Sequence, residues 1–118
     1  MSKLKELTDR LVKTSTEKNL FRESNSLKQA YYTQEELDEL KQSLTAKQNN
    51  LTSYINSKGE LVNTRCQIID DYGDILVTIF NGMHMEGVDI LEAFEKSLVI
   101  FENRKGKMIK GKFVKDEN

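Results

Sequence analysis

One histidine and one cysteine limit the nucleophilic and soft-metal chemistry that this chain can carry. Catalysis by a Cys–His pair needs an accessible thiolate and an oriented base, and Cys66 falls on the buried face of a predicted strand. His84 stands between Met83 and Met85, which a strand would turn to the opposite side from the imidazole. The three side chains therefore cannot share a soft metal ion. We expect no catalytic residues, no metal site and no cofactor.

Three carboxylates cluster at Asp70, Asp71 and Asp74. Hard oxygen ligands of this kind suit Mg²⁺ or Ca²⁺, but the twelve-residue EF-hand loop with its terminal glutamate is absent from the sequence. Because Gly73 stands within the cluster, the segment is also typical of a turn, which is our prediction. An enzyme that uses paired carboxylates, such as Asp71 with Glu86, is a third hypothesis. It ranks last because acid pairs without a known cleft carry little information.

Acidic residues are concentrated between positions 70 and 102, where eight acids accompany one base, Lys96. Such a face can occupy the basic groove of a nucleic-acid enzyme, with electrostatics supplying the association rate. We predict a partner-binding acidic face made of Asp70, Asp71, Asp74, Glu86, Glu92 and Glu95. The first functional hypothesis is therefore a small non-catalytic interaction protein, an inhibitor or adaptor whose partner is another protein. Its size is frequent among accessory proteins of phages and mobile elements.

The segment from Arg104 to Lys115 has the opposite charge, with six bases and no acid. Bases interleaved with Met108, Ile109 and Phe113 are typical of surfaces that neutralise phosphates while an aromatic ring stacks on a base. The alternative function is therefore a dimeric nucleic-acid-binding regulator. It would use Arg104, Lys105, Lys107, Lys110, Lys112 and Lys115.

The first 57 residues contain no glycine, and their apolar residues recur at helical spacing. A first amphipathic helix is predicted near the N-terminus, and the capping box from Thr33 to Glu36 predicts the start of a second. Later apolar residues fall on alternating a and d heptad positions, which predicts a helical hairpin or a seam for a homodimer. The residues of this predicted dimerisation seam are Leu37, Leu40, Leu44, Leu51 and Tyr54.

After Lys58 and Gly59 the pattern becomes that of strands. Residues 62–68 alternate between apolar and polar, residues 75–80 form a β-branched run, and Asn81-Gly82 is a strong hairpin signal. We predict antiparallel strands over 62–68, 75–80 and 83–85, packed on a helix that Asp89 caps. The fold class is therefore α+β: an N-terminal amphipathic helical hairpin followed by a small antiparallel β-meander packed on one helix.

Length and composition predict a single domain over residues 1–118, with a helical part to 57 and the meander, helix and basic arm over 58–115. A net charge of −1 gives no general attraction to nucleic acid or membranes. One cysteine cannot form an intramolecular disulfide, which favours a cytoplasmic location. The apolar runs are far shorter than the roughly 20 residues of a membrane span, so no membrane contact is expected.

Overall fold

A computed structural model describes residues 2–116, and the chain divides into two compact units, Met1–Gly87 and Val88–Asn118. The first unit contains helices α1 (Lys3–Glu17), α2 (Leu20–Glu23), α3 (Ser26–Gln48) and α4 (Thr64–Met85), with strands β1 (Ser53–Ile55) and β2 (Leu61–Asn63) between α3 and α4. The second contains α5 (Ile90–Asn103), β3 (Gly106–Ile109) and β4 (Lys112–Lys115). The layout is α+β with N-terminal helices, as predicted. The single-domain assignment stays a prediction.

Side-chain caps fix where the helices begin. Asn25 Oδ1 accepts from the Lys28 backbone N–H at 2.8 Å and so begins α3, eight residues before the predicted capping box. Thr33 lies inside α3 instead, where its hydroxyl is 2.6 Å from that of Thr78 on α4. The predicted cap at Asp89 is confirmed, because its carboxylate accepts from the backbone N–H of Glu92 at 2.9 Å.

The strands predicted over 62–68, 75–80 and 83–85 do not form, because residues 64–85 are the single helix α4. The antiparallel strands of the structure are two separate two-stranded hairpins, β1–β2 and β3–β4. Thr64, Ile68 and Asp71 are buried on one side of α4, at spacings of four and three residues. The alternation that suggested a strand therefore also fits a helix, and packing against α3 overrides the β propensity of the 75–80 run.

Asn81-Gly82 lies within α4 rather than in a hairpin turn. The buried Asn81 amide oxygen accepts a 2.8 Å hydrogen bond from the Ser15 hydroxyl and thereby ties α1 to α4. A Cβ at Gly82 would lie 3.7 Å from Gln29 Cβ, an ordinary van der Waals distance, so this position of α4 faces α3. The two residues serve helix packing, not a tight turn.

Helices α3 and α4 run antiparallel and share a largely polar interface. Hydrogen bonds connect them at Ser26–Glu86, Thr33–Thr78 and Ser43–Asp71, which spans nearly the whole length of both helices. Among residues 2–116, the buried apolar side chains are Leu40, Ala46 and Ile68. The core of the first unit is therefore small, and buried hydrogen bonds contribute to specifying its pairing.

The second unit consists of α5 and the β3–β4 hairpin. Met108 pairs with Phe113 across the hairpin, and the Phe113 ring packs edge-on against Phe101 with 5.6 Å between centroids. Lys110 and Gly111 form the turn with positive φ angles of 50° and 80°. The predicted basic arm is thus a β-hairpin. None of the helices within the described range 2–116 has the length and apolar character needed to cross a bilayer.

Candidate functional site

Carboxylates from two facing helices meet near the middle of the α3–α4 pair. Glu36 and Glu39 are three residues apart on α3, which puts them on one side of that helix. Asp70, Asp71 and Asp74 occupy the first half of α4. Electrostatic effects of Glu39, Asp71 and Asp74 on Glu36 show that the two sets are close in space. We call these five residues the carboxylate cluster.

Asp71 is the buried member of the carboxylate cluster, with no solvent-accessible surface. Its Oδ2 accepts from the Ser43 hydroxyl at 2.7 Å, and its Oδ1 accepts from the Gln67 side-chain amide at 2.7 Å. Both donors are neutral, so they orient the carboxylate without cancelling its charge. Asp71 is therefore held in one orientation inside the α3–α4 interface.

Glu36 lies beside Asp71 and lacks a hydrogen-bond partner at one oxygen. Its Oε2 atom is inaccessible to solvent and makes no hydrogen bond within residues 2–116. Burial raises the pKa of Glu36 above its ordinary value, and repulsion from Glu39 and Asp74, a side-chain hydrogen bond with Glu39 and repulsion from Asp71 raise it further. A buried carboxylate oxygen without a donor is unfavourable, and a cation would satisfy it.

Asp74, on α4, is subject to the same kinds of electrostatic effect as Glu36 on α3. Burial raises its pKa first, followed by repulsion from Asp71, Asp70 and Glu39, while Lys58 acts in the opposite direction. The ion pairs found among residues 2–116 all lie on α1 and on the exposed side of α3. No carboxylate of the cluster takes part in an ion pair there, so its negative charge is only weakly compensated.

An open polar cleft of about 550 Å³ adjoins the carboxylate cluster. It lies within the first unit, and its walls come from α3, α4 and the β1–β2 hairpin. Tyr54 supplies an aromatic ring, and its pKa is raised by burial and by the nearby Asp71 charge. The remaining lining includes Glu39, Gln42, Asn56, Ser57, Lys58, Gln67, Asp70 and Asp74.

The β1–β2 hairpin holds Lys58 at this cleft in a defined loop. Asn56 Oδ1 accepts from the backbone N–H groups of Lys58 and Glu60 at 2.9 and 3.0 Å. Gly59 takes a φ of 78°, which glycine adopts without strain. The loop therefore presents a lysine at a site otherwise rich in carboxylates.

Within residues 2–116, no three carboxylate, imidazole or thiolate groups are arranged to hold a metal ion among themselves. Mg²⁺ is commonly bound by one or two carboxylates, with water and ligand phosphates completing its octahedron. The carboxylate cluster can act in that way, with different members each contacting an ion. It does not provide a cage made of protein ligands alone.

The structure separates the six residues of the predicted acidic face. Asp70 and Asp74 line the cleft and Asp71 is buried next to them, whereas Glu86 caps the other end of α4 and accepts from Ser26. Glu86 is twelve positions after Asp74, which corresponds to about 18 Å of helix. Glu92 and Glu95 belong to α5 in the second unit. The turn predicted at residues 70–74 is replaced by helix.

The predicted dimerisation seam is also divided. Leu40 is buried within the chain, while Leu37 and Leu44 are exposed on α3. Leu51 follows the end of α3 at Gln48, and Tyr54 lies in β1 at the cleft. The helix ends there because Asn50 adopts a left-handed conformation with φ 60°. The role of these residues in dimerisation stays a prediction.

The predicted nucleic-acid residues surround the β3–β4 hairpin. Cross-strand pairing puts Lys107 and Lys112 on one face of the hairpin and Lys115 on the other. Arg104 and Lys105 lie between α5 and β3, and Lys110 is in the turn. The bases are exposed but do not share one face, and their role in nucleic-acid binding stays a prediction.

The sequence did not predict Glu36, Glu39, Tyr54 and Lys58 as residues of this site; Tyr54 was assigned to the dimerisation seam and Glu36 to a capping box. The sequence does contain a signal: acids at 36 and 39 on one helix and at 70, 71 and 74 on another have the spacing of a helix face. That signal was lost because residues 70–74 were assigned to a turn.

Neither Cys66 nor His84 lies at the cleft. Cys66 is exposed, and the His84 ring packs against Phe21 with 4.7 Å between the ring centroids.

No protein-family model, curated protein or solved structure matches this chain.

Proposed function

We propose that the cleft between α3 and α4 binds Mg²⁺ at the carboxylate cluster and, through the metal, the polyphosphate of a nucleotide, which the protein hydrolyses. The observation that carries this proposal is the convergence of Glu39, Asp70 and Asp74 on one cleft, close to the Glu36 carboxylate, which has an inaccessible oxygen without a donor. In the sequence analysis, an enzyme that uses carboxylates ranked last because no cleft was known, and a cleft adjoins the acids here. We therefore prefer an enzyme to the non-catalytic interaction protein.

Charge supports a polyphosphate as the ligand. Three carboxylates of the cluster, those of Glu39, Asp70 and Asp74, line the cleft and would attract divalent cations. Two such ions can clamp both the attacking and the leaving oxygens of a displacement at phosphorus. Lys58 adds a cation at the edge of the cleft. A cleft of about 550 Å³ lies within the size range of small-molecule sites. Tyr54 and the amides of Gln42 and Asn56 supply stacking and hydrogen-bonding groups for a base.

The proposed reaction is hydrolysis of a phosphoric anhydride. Water attacks one phosphorus atom, the bond from that phosphorus to the bridging oxygen breaks, and the oxygen leaves with the other phosphate. A carboxylate of the cluster accepts the proton of the attacking water and passes it to solvent. This carboxylate must reach the water in the cleft, so it is one of Glu39, Asp70 and Asp74, which line the cleft.

Phosphorus NMR with the four common nucleoside triphosphates and Mg²⁺ tests this proposal. We expect at least one nucleotide to be cleaved, and Asp74→Asn to lower the rate by about a hundredfold or more, because a metal-binding charge is lost. Glu92→Gln, in the second unit, is the matched control and should retain full activity. If no nucleotide is cleaved, or if Asp74→Asn is as active as the wild type, the proposal is wrong.

The interaction-protein hypothesis is a second proposal, supported by the exposure of Asp70 and Asp74 at the open cleft. A basic partner protein could bind these acids directly, without a metal. Pull-down with EDTA distinguishes the two proposals. Retention of one stoichiometric protein in EDTA, lost on reversing Asp70 and Asp74 to lysine with unchanged circular dichroism, supports this second function.

A further inference from the structure

A row of apolar side chains follows α4 next to the residues that contact α3, and its central leucine, Leu76, also lines an apolar pocket shared with α1. Its spacing of three, four, three and four residues is that of heptad a and d positions. Four of its members are exposed, at 57%, 51%, 49% and 39%, and the fifth is half-buried. Its members, in chain order, are Ile69, Tyr72, Leu76, Ile79 and Met83, and we call this row the α4 stripe.

Charged residues occupy the next heptad position at each end of the α4 stripe. Arg65 precedes Ile69 by four residues, and Glu86 follows Met83 by three. Both side chains are exposed, and the Glu86 carboxylate also accepts a hydrogen bond from the Ser26 hydroxyl on α3. In an antiparallel pair centred on Leu76, each arginine lies beside the glutamate of the other copy. A parallel pair would instead align arginine with arginine and glutamate with glutamate, which is unfavourable.

We propose that two copies of this chain pair through the α4 stripe, antiparallel about a two-fold axis near Leu76. The contact is isologous, as closed dimers require, so Ile69 of one copy packs against Met83 of the other. Arg65 and Glu86 set the direction of pairing at both ends. Ile69 also borders the cleft, so the second copy reaches the edge of the candidate site.

Light scattering after size exclusion tests the surface. We expect wild-type protein at tens of micromolar to have twice the chain mass of 13.6 kDa. Leu76→Glu combined with Ile79→Glu should give monomers with retained helical circular dichroism, because two charges would be buried at each interface. The matched control is Leu37→Glu with Leu44→Glu on the exposed side of α3, which should stay dimeric. A monomeric wild type, or dissociation by the α3 variant alone, overturns the proposal.

Charge exchange tests the direction of pairing without touching the apolar row. Arg65→Glu alone should weaken dimerisation about tenfold, since it places like charges at both ends of the interface. Combining it with Glu86→Arg should restore the wild-type dissociation constant measured by sedimentation. If the double variant is no tighter than the single one, the antiparallel arrangement is wrong. Because both positions are exposed, this arm stays informative even if the α4 stripe variant fails to fold.

Discussion

Glu36 and Asp74 carry the least favourable charges of the cluster. Burial and neighbouring carboxylates raise the pKa of both groups above their ordinary values of 4.5 and 3.8. In the folded protein each therefore holds its proton to a higher pH than in the unfolded chain. Sites that bind ligands often retain such locally destabilising charges because the ligand compensates them.

This shift predicts the pH dependence of stability. A carboxyl whose pKa is raised on folding stabilises the protein while it is protonated, and this stabilisation is lost as the pH rises through the raised pKa. The free energy of unfolding from urea titrations should therefore fall as the pH rises from about 4, the ordinary range of these acids, through the raised pKa values. The variant Glu36→Gln/Asp74→Asn should show a smaller fall and should be more stable than the wild type at neutral pH without divalent cations.

Glu6→Gln/Asp9→Asn provides the control, because these two acids form exposed ion pairs on α1. Its free energy of unfolding should change with pH as that of the wild type does, with only a small loss of stability at each pH. If the free energy of unfolding of Glu36→Gln/Asp74→Asn falls with rising pH as steeply as that of the wild type, the electrostatic account of the cluster is contradicted.

Helix α4 is the element on which sequence and structure differ most. The helices at both ends of the chain were predicted because their apolar residues follow one helical face and Asp89 caps α5. In α4, by contrast, apolar residues lie on several sides, and Asn81-Gly82 and Asp-rich positions resemble turns. Their helical role depends on contacts with Ser15, Ser43 and Gln29, which are distant in sequence and which no local pattern reveals.

Gly73→Ala discriminates between the helix and the turn predicted at residues 70–74. Gly73 lies inside α4 without a positive φ, and a Cβ there would meet no atom within 4 Å. Alanine in a helix interior is favoured over glycine by roughly 0.5–1 kcal/mol, so the free energy of unfolding should rise by about that amount. A loss of stability in urea titrations would instead support a turn at this position.

Asn81→Ala tests the connection between α1 and α4. Removing the buried amide leaves the Ser15 hydroxyl without its acceptor and creates a small cavity. We expect a loss of about 1–3 kcal/mol in the free energy of unfolding. Gln34→Ala, on the exposed side of α3, should change it by no more than about 0.5 kcal/mol. Equal effects of the two substitutions would show that the buried hydrogen bond does not stabilise the unit.

At the scale of the whole molecule, composition predicted the α+β class and the helical N-terminus, but it gave no information on which surfaces meet. The net charge of −1 conceals a carboxylate cluster at one cleft and a basic hairpin in the second unit. Asp70, Asp71 and Asp74 were selected from the sequence. Their partners Glu36 and Glu39 were not, because about 30 residues and a hairpin separate the two sets along the chain.

Electron paramagnetic resonance of Mn²⁺, as a substitute for Mg²⁺, tests the central proposal most directly. Titration of the wild-type chain should show one or two bound ions, since carboxylate oxygens are suitable ligands for Mn²⁺. Glu36→Gln/Asp74→Asn should weaken binding by at least about tenfold, because two of the charges that attract the ion are removed. Glu92→Gln/Glu95→Gln removes equal charge from the second unit and should leave binding unchanged. Absence of bound Mn²⁺, or equal binding by both variants, would contradict a metal site at the carboxylate cluster.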